Sequence, residues 1–129
     1  MRRMIVLAAL VVAAVALFVV GRGSGPEPLR LTTAGAHYTA TVLIGRPTTG
    51  RISVEVRVTS GDADGAALSA VMPDMGHAMP ELVAGEPEPG RFVAEGELFA
   101  MTGVWDLSIR LTGPAGEETL TGKALITGG

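Results

Sequence analysis

ISVEVRV, Ile52 to Val58, decides the fold. Branched apolar residues stand at every second position, with Ser53, Glu55 and Arg57 between them. A helix would scatter such a set around its circumference. An extended chain points alternate side chains to opposite faces, so the stretch reads as a strand with one buried and one wet face. The same period recurs on both sides. Tyr38, Ala40, Val42 and Ile44 alternate with Thr39, Thr41 and Leu43, and Trp105, Leu107, Ile109 and Leu111 with Asp106, Ser108 and Arg110. Leu68–Met72 reads as a short strand, Phe92–Phe99 as one with both faces partly apolar, and Leu120–Ile126 as the last. Between them lie GRPTTG (Gly45–Gly50), GDADG (Gly61–Gly65), GEPEPG (Gly85–Gly90) and GPAG (Gly113–Gly116), all rich in turn-forming residues. No stretch after Val20 holds a helical period over ten residues. The expectation is an all-β, immunoglobulin-like β-sandwich of about seven strands over residues 31–129.

The composition agrees. A chain of 129 residues suffices for one such domain. With 18 Gly, 8 Pro and only 4% aromatic residues, it suits short elements joined by turns around a core of Val, Leu, Ile and Ala.

Ahead of the domain the pattern changes. Met4–Val20, MIVLAALVVAAVALFVV, has no charged or polar side chain over seventeen residues. At about 1.5 Å per residue, a helix of that length sits at the lower limit for crossing a hydrocarbon core of roughly 30 Å. Arg2 and Arg3 precede it, and the positive-inside rule then keeps the N-terminus cytoplasmic and exports the rest of the chain. A cleaved signal peptide is the other reading, with Val19-Val20-Gly21 near a cleavage point. The run is longer than an ordinary signal core and no Ala-x-Ala comes after it, which favours an anchor. The expected organisation is one N-terminal transmembrane helix in residues 1–21, a linker in 22–30 containing most of GRGSGPEP, and the domain on the outer, periplasmic side of the cytoplasmic membrane.

Charge excludes one class of partner. From Leu31 onward six basic residues face twelve acidic ones, and a phosphate backbone would repel that surface, so no nucleic-acid partner is expected. Cysteine is absent, which removes disulfides, thiolate metal sites and iron–sulfur ligation. Any site for a soft metal must therefore use methionine and histidine.

One segment concentrates them. MPDMGHAMP, Met72–Pro80, holds three of the six methionines and one of the two histidines. Met75, His77 and Met79 are spaced by two, which in an extended segment places all three on one face. If Met79–Ala84 runs back down the sandwich and Phe92–Phe99 runs up, Met101 returns to the same end. Met75, His77, Met79 and Met101 are then candidate ligands for Cu(I), a soft ion that prefers thioether and imidazole to carboxylate. Asp74 is the candidate acceptor for the second imidazole nitrogen. The opposing reading is packing, since methionine is a flexible gap-filler. Met72 reads as core, Met79 and Met101 read either way, His37 reads as a surface histidine, and Trp105 as the central core aromatic.

The order of these motifs resembles the YtkA-like domain and the related FixH family. The resemblance rests on Met72–His77, on Gly90–Phe92 and on Met101-x-Gly103-x-Trp105, and spans about residues 31–127. It implies a β-sandwich linked to copper handling or cytochrome oxidase assembly, with a partner from one of those systems. Enzyme chemistry finds no support: nothing resembles a nucleophile elbow, a paired-carboxylate cleft or a phosphate-cradling loop. Two functions of different class remain, a membrane-anchored copper-binding protein and a membrane-anchored interaction module that binds no metal.

Overall fold

The alternation of Ile52–Val58 is realised in a ten-residue strand, β3 (Arg51–Ser60), in which Ile52, Val54 and Val56 are buried while Ser53 and Arg57 are exposed. The computed structural model describes residues 27–128. The expected transmembrane helix of residues 1–21 lies outside them. Among the described residues no helix is long and apolar enough to cross a membrane.

Strands make up almost all of the regular structure. In chain order they are β1 (Leu29–Ala34), β2 (Thr39–Ile44), β3, β4 (Gly65–Met72), β5 (His77–Ala78), β6 (Leu82–Val83), β7 (Gly85–Glu88), β8 (Arg91–Glu97), β9 (Gly103–Gly113) and β10 (Gly116–Ile126). They form two sheets, ordered β1-β2-β3-β8-β7 and β10-β9-β4-β5, with β6 also paired to β4. All of these strand pairings are antiparallel. One core joins the sheets. Val42, Val54, Val56 and Phe92 enter it from the first, and Leu68, Trp105, Leu107 and Ile109 from the second. The fold is thus all-β, two antiparallel layers about a shared apolar interior.

Four sequence expectations change. Ten strand segments replace about seven, two of them only two residues long. Leu29 and Arg30, assigned to the linker, open β1, which pairs Leu29 with Ile44 and Ala34 with Thr39. GEPEPG is not all turn: Gly85–Glu88 forms β7 and only Pro89–Gly90 turns. Pro87 is tolerated there because β7 lies at a sheet edge, where a missing N–H breaks no central ladder. Finally, β8 stops at Glu97, and Leu98 and Phe99 leave the sheet to plug the core, both fully buried.

Register defines two ends. In the second sheet Val71 pairs with Asp106, and Gly103 with Ile126, at one end; Gly65 pairs with Thr112, and Gly113 with Gly116, at the other. The first end is called upper here. The connection from Glu97 to Gly103 crosses between sheets at the upper end, and that from Ser60 to Gly65 at the lower. Thr49 N–H donates to the Gly128 carbonyl at 3.1 Å, closing the upper end beside the β2–β3 loop.

A carboxylate latches the lower end. Glu118 on β10 accepts hydrogen bonds from the backbone N–H groups of Ala36 (2.9 Å), His37 (3.1 Å) and Tyr38 (3.1 Å), in the β1–β2 loop. Beside it the buried Tyr38 hydroxyl donates to the Gly116 carbonyl at 2.9 Å. Partial burial pushes the Glu118 carboxyl up, but the N–H groups of His37, Tyr38 and Ala36 outweigh it and hold its pKa below the ordinary 4.5. A depressed carboxylate stabilises the fold above its unfolded pKa and loses that contribution as pH falls through the folded one. Glu118→Ala is therefore expected to lower stability at neutral pH and to flatten the acid limb below about pH 4.5. Urea melts of both proteins across that range check it; coincident acid limbs would show that the latch contributes nothing.

Candidate metal centre

The chain reverses at the upper end of β4 through a turn whose residues dictate its shape. Pro73–Met75 is a single 3-10 turn. Pro73 presets the φ that such a turn needs, and Gly76 ends it at φ 65°, a left-handed conformation that glycine takes without steric cost. The Gly76 N–H donates to the Pro73 carbonyl at 3.3 Å. Met72 and His77 then pair across the hairpin, as do Val71 and Ala78.

The return strand runs back along β4. Met79 N–H donates to the Ala70 carbonyl at 3.0 Å, Leu82 and Val83 pair with Leu68 and Ala67, and Ala84 N–H reaches the Ala66 carbonyl at 2.9 Å. Two residues, Pro80 and Glu81, thus oppose Ser69 alone. This is a bulge, and Pro80, which has no N–H to give, sits in it. Arg110 on β9 holds the bulge by a two-point bond to Glu81, at 3.1 and 2.7 Å. The Glu81 carboxyl lies below the ordinary range because of Arg110.

This register places the candidate ligands. Residues opposite each other in an antiparallel pair share a face. Met72 and Ala70 point inward and are buried, so their partners His77 and Met79 belong to the inner row. Met79 is half-buried and packs against the core, whereas His77 lies past the core's rim and is exposed. Met75 does not match the expectation drawn from spacing by two. The 3-10 turn and the left-handed Gly76 break the extended chain, so Met75 is not in line with His77 and Met79. It stands at the turn's tip, 58% exposed. Asp74 is exposed in the same turn, and among the described residues no hydrogen bond joins its side chain to His77.

Met101 arrives from the other side. The β8–β9 crossing buries Leu98 and Phe99, then lifts Met101 to 37% exposure just before β9 begins. Its position is set from below. The fully buried Trp105 donates its indole N–H to the Met101 carbonyl at 3.0 Å and meets Phe99 edge to face, with ring centroids 5.8 Å apart. Sequence reading placed Trp105 in the core but missed this bond. The signal was available, because a buried indole N–H needs an acceptor and the nearest loop supplies one.

Met72 forms the floor between the two loops. It is 5% exposed, and its terminal methyl lies so close to Gly103 that a Cβ there would come within 2.8 Å. Gly103 also has φ 137°, outside the range of ordinary side chains. Turn and crossing therefore meet over one methionine. Around this floor the exposed soft donors are Met75, His77 and Met101, with Met79 behind them. Among the described residues no three of His, Asp and Glu group into a set that could hold a metal ion. Two charged networks lie away from this end, Glu55 with Arg91 and Arg57 and Arg110 with Glu81 and Glu117, whereas Lys123–Asp106 and Arg51–Glu95 pair near it on the outer faces of the two sheets. His37 is exposed in the β1–β2 loop, at the opposite end of the sheets.

No family model matches the chain, and no curated protein matches it.

Two losses of stability are expected. Met72→Ala leaves a cavity under both loops and should cost about 2–5 kcal/mol, and Trp105→Ala about 3–5 kcal/mol, as buried large-to-small changes do. Denaturant titration measures both. A Trp105→Ala protein that melts like its parent would place the indole outside the core and remove the support for the Met101 loop.

Proposed function

We propose that this chain is a membrane-anchored, extracytoplasmic copper-binding protein whose upper end holds Cu(I) through Met75, His77 and Met101, with Met79 as the inner donor. The observation that carries the reading is the convergence of two loops. The β4–β9 pairing brings the Met75–His77 turn and the Met101 crossing to the same end, over Met72. Three exposed side chains from two separate segments there carry only soft or borderline donor atoms.

The chemistry favours Cu(I) over harder ions. Thioether sulfur and imidazole suit a soft cation, and methionine binds Zn(II), Mg(II) and Ca(II) poorly. Outside the cytoplasm such donors also last longer than thiolates, which oxidise and which this chain lacks. The strand order fits the same family of ideas. A first sheet of β2-β3-β8-β7 and a second of β10-β9-β4-β5 match an immunoglobulin-like arrangement, with β1 added at one edge. The resemblance to YtkA-like and FixH proteins would assign such a chain a role in copper handling or oxidase assembly, beside a protein of that system. The proposal assigns no catalytic step to the chain.

A second reading has one specific observation in its favour. Met75 and Met101 are apolar as well as soft, and Val71, Val104 and Leu125 are exposed near them. An interaction module would use these as an adaptable contact surface and bind no metal.

Titration of Cu(I) into the full-length protein in detergent, against a competing chelator under reducing conditions, separates the two. One Cu(I) per chain is expected, with Zn(II) unable to displace it. His77→Ala should weaken binding at least as much as the roughly 10–100-fold that loss of a mere supporting contact costs a metal site. Met75→Ala and Met101→Ala should each weaken binding without loss of fold, whereas Met79→Ala should lose stability as well, because its side chain also packs on the core. Acidification should compete with binding, since a ligating imidazole must be neutral. Equal, weak competition by the wild type and by the Met75→Ala, His77→Ala double variant would leave the interaction module as the function.

A further inference from the structure

The point at which the chain enters the domain bears on which way the upper end faces. β1 begins at Leu29, paired with Ile44. Along β10, Leu31 packs where a Cβ on Gly122 would come within 2.4 Å of it, and Thr33 Oγ1 donates to the Thr121 carbonyl at 3.2 Å. Continuing upward, Leu29 comes near the level of Ala124, close to the upper end of β10. The tether therefore joins the sandwich on the side of Met72, Met101 and His77.

Reach then discriminates between orientations. Residues 21–28 separate the apolar run from β1. Eight residues span at most roughly 26–29 Å when fully extended. From Ala124 down to Gly116 is another eight residues, roughly 26 Å of strand. Lower end toward the membrane, the tether would be stretched to its limit along the domain. Upper end toward the membrane, it is slack.

Surface chemistry points the same way. The exposed large hydrophobics are Val71, Met75, Val83, Met101, Val104 and Leu125, and all except Val83 lie at the upper end. Val104 and Leu125 pair directly on the outward face of the second sheet, and Val71 lies on that face one strand over. The far end carries Asp62, Asp64, Glu86, Glu88, Glu117 and Glu118 against Arg57, Arg91 and Arg110, an acidic excess, whereas near the upper end Asp74, Glu95, Glu97 and Asp106 are matched by Arg30, Arg46, Arg51 and Lys123. An anionic bilayer surface repels such an end and accepts the apolar one.

We propose that the upper end of the sandwich faces the membrane, with Val71, Val104 and Leu125 resting against the bilayer surface and the Met75–His77 turn held at headgroup level. The inference rests on the reading of residues 4–20 as an anchor; it does not depend on copper being bound.

The native chain has no cysteine, so single labelling sites can be introduced cleanly. Thr127→Cys marks the upper end beside Leu125, and Ala115→Cys marks the lower turn between β9 and β10; both positions are exposed. Each full-length protein carries an environment-sensitive fluorophore and is reconstituted into phosphatidylcholine–phosphatidylglycerol vesicles containing lipids brominated near the headgroup. Flotation is measured first, then quenching. The expected result is flotation of both proteins, with blue-shifted emission and several-fold stronger quenching at position 127 than at 115. Adding Val104→Ser and Leu125→Ser should reduce quenching at 127 without changing the melt, since both side chains point outward. Floating protein with equal quenching at the two positions, or stronger quenching at 115, overturns the orientation and leaves the anchor standing. Failure to float overturns anchor and orientation together, while the copper titration stands on its own result.

Discussion

The hydrogen bond from the Trp105 indole to the Met101 carbonyl couples the interior of this protein to its upper surface. An indole is large enough to bury a substantial apolar area, yet it carries one donor that cannot be left unpaired in that interior. Here the acceptor is a loop carbonyl four residues earlier, at the crossing between sheets. The pairing of β4 with β9 then brings the Pro73–Gly76 turn to the same end, and Met72 fills the space between turn and crossing. Core packing and loop position are therefore one constraint. A change that loosens the indole also frees the segment carrying Met101.

The methionines divide by burial, and the division suits distinct roles. Met72 is enclosed and contributes volume, contact and a close approach to Gly103. Met75 and Met101 are held out of the core, Met75 by a proline-led turn and Met101 by the buried Leu98–Phe99 plug. Met79 stands between the two conditions, half-buried behind His77. Exposed apolar side chains are common one at a time, but their concentration at one end, around the only candidate imidazole there, calls for a partner. The proposed Cu(I) site and the proposed bilayer contact are compatible with one another, because the candidate ligands sit on the loops and Val104 and Leu125 on the adjoining sheet face.

Long strands were legible in the sequence because their period is strong. Ile52–Val58 and Trp105–Leu111 each bury one face of a sheet, and nothing else accounts for such alternation. The edge elements were not legible. β1 carries only Leu29 and Leu31 as large apolar residues beside a Gly- and Pro-rich stretch, and β7 is Gly-Glu-Pro-Glu, with nothing to bury. Such strands are fixed by backbone pairing with a neighbour, which leaves little trace in side-chain pattern. At the candidate site, the return of Met101 to the end bearing His77 could be argued from strand direction. The alignment of Met75 with His77 could not. Spacing by two has meaning only in an extended chain, and Pro73 and Gly76 are the residues that make this segment turn.

The central claim is that the upper end of the sandwich is a thioether–imidazole site for Cu(I). X-ray absorption at the copper edge of the Cu(I)-loaded, full-length protein tests it most directly, because it reports the ligand atoms themselves. The account predicts a first shell of low coordination number containing sulfur and nitrogen scatterers together, with the sulfur contribution reduced in Met75→Ala and Met101→Ala and the imidazole pattern lost in His77→Ala. A shell of oxygen and nitrogen alone, unchanged in all three variants, would contradict it.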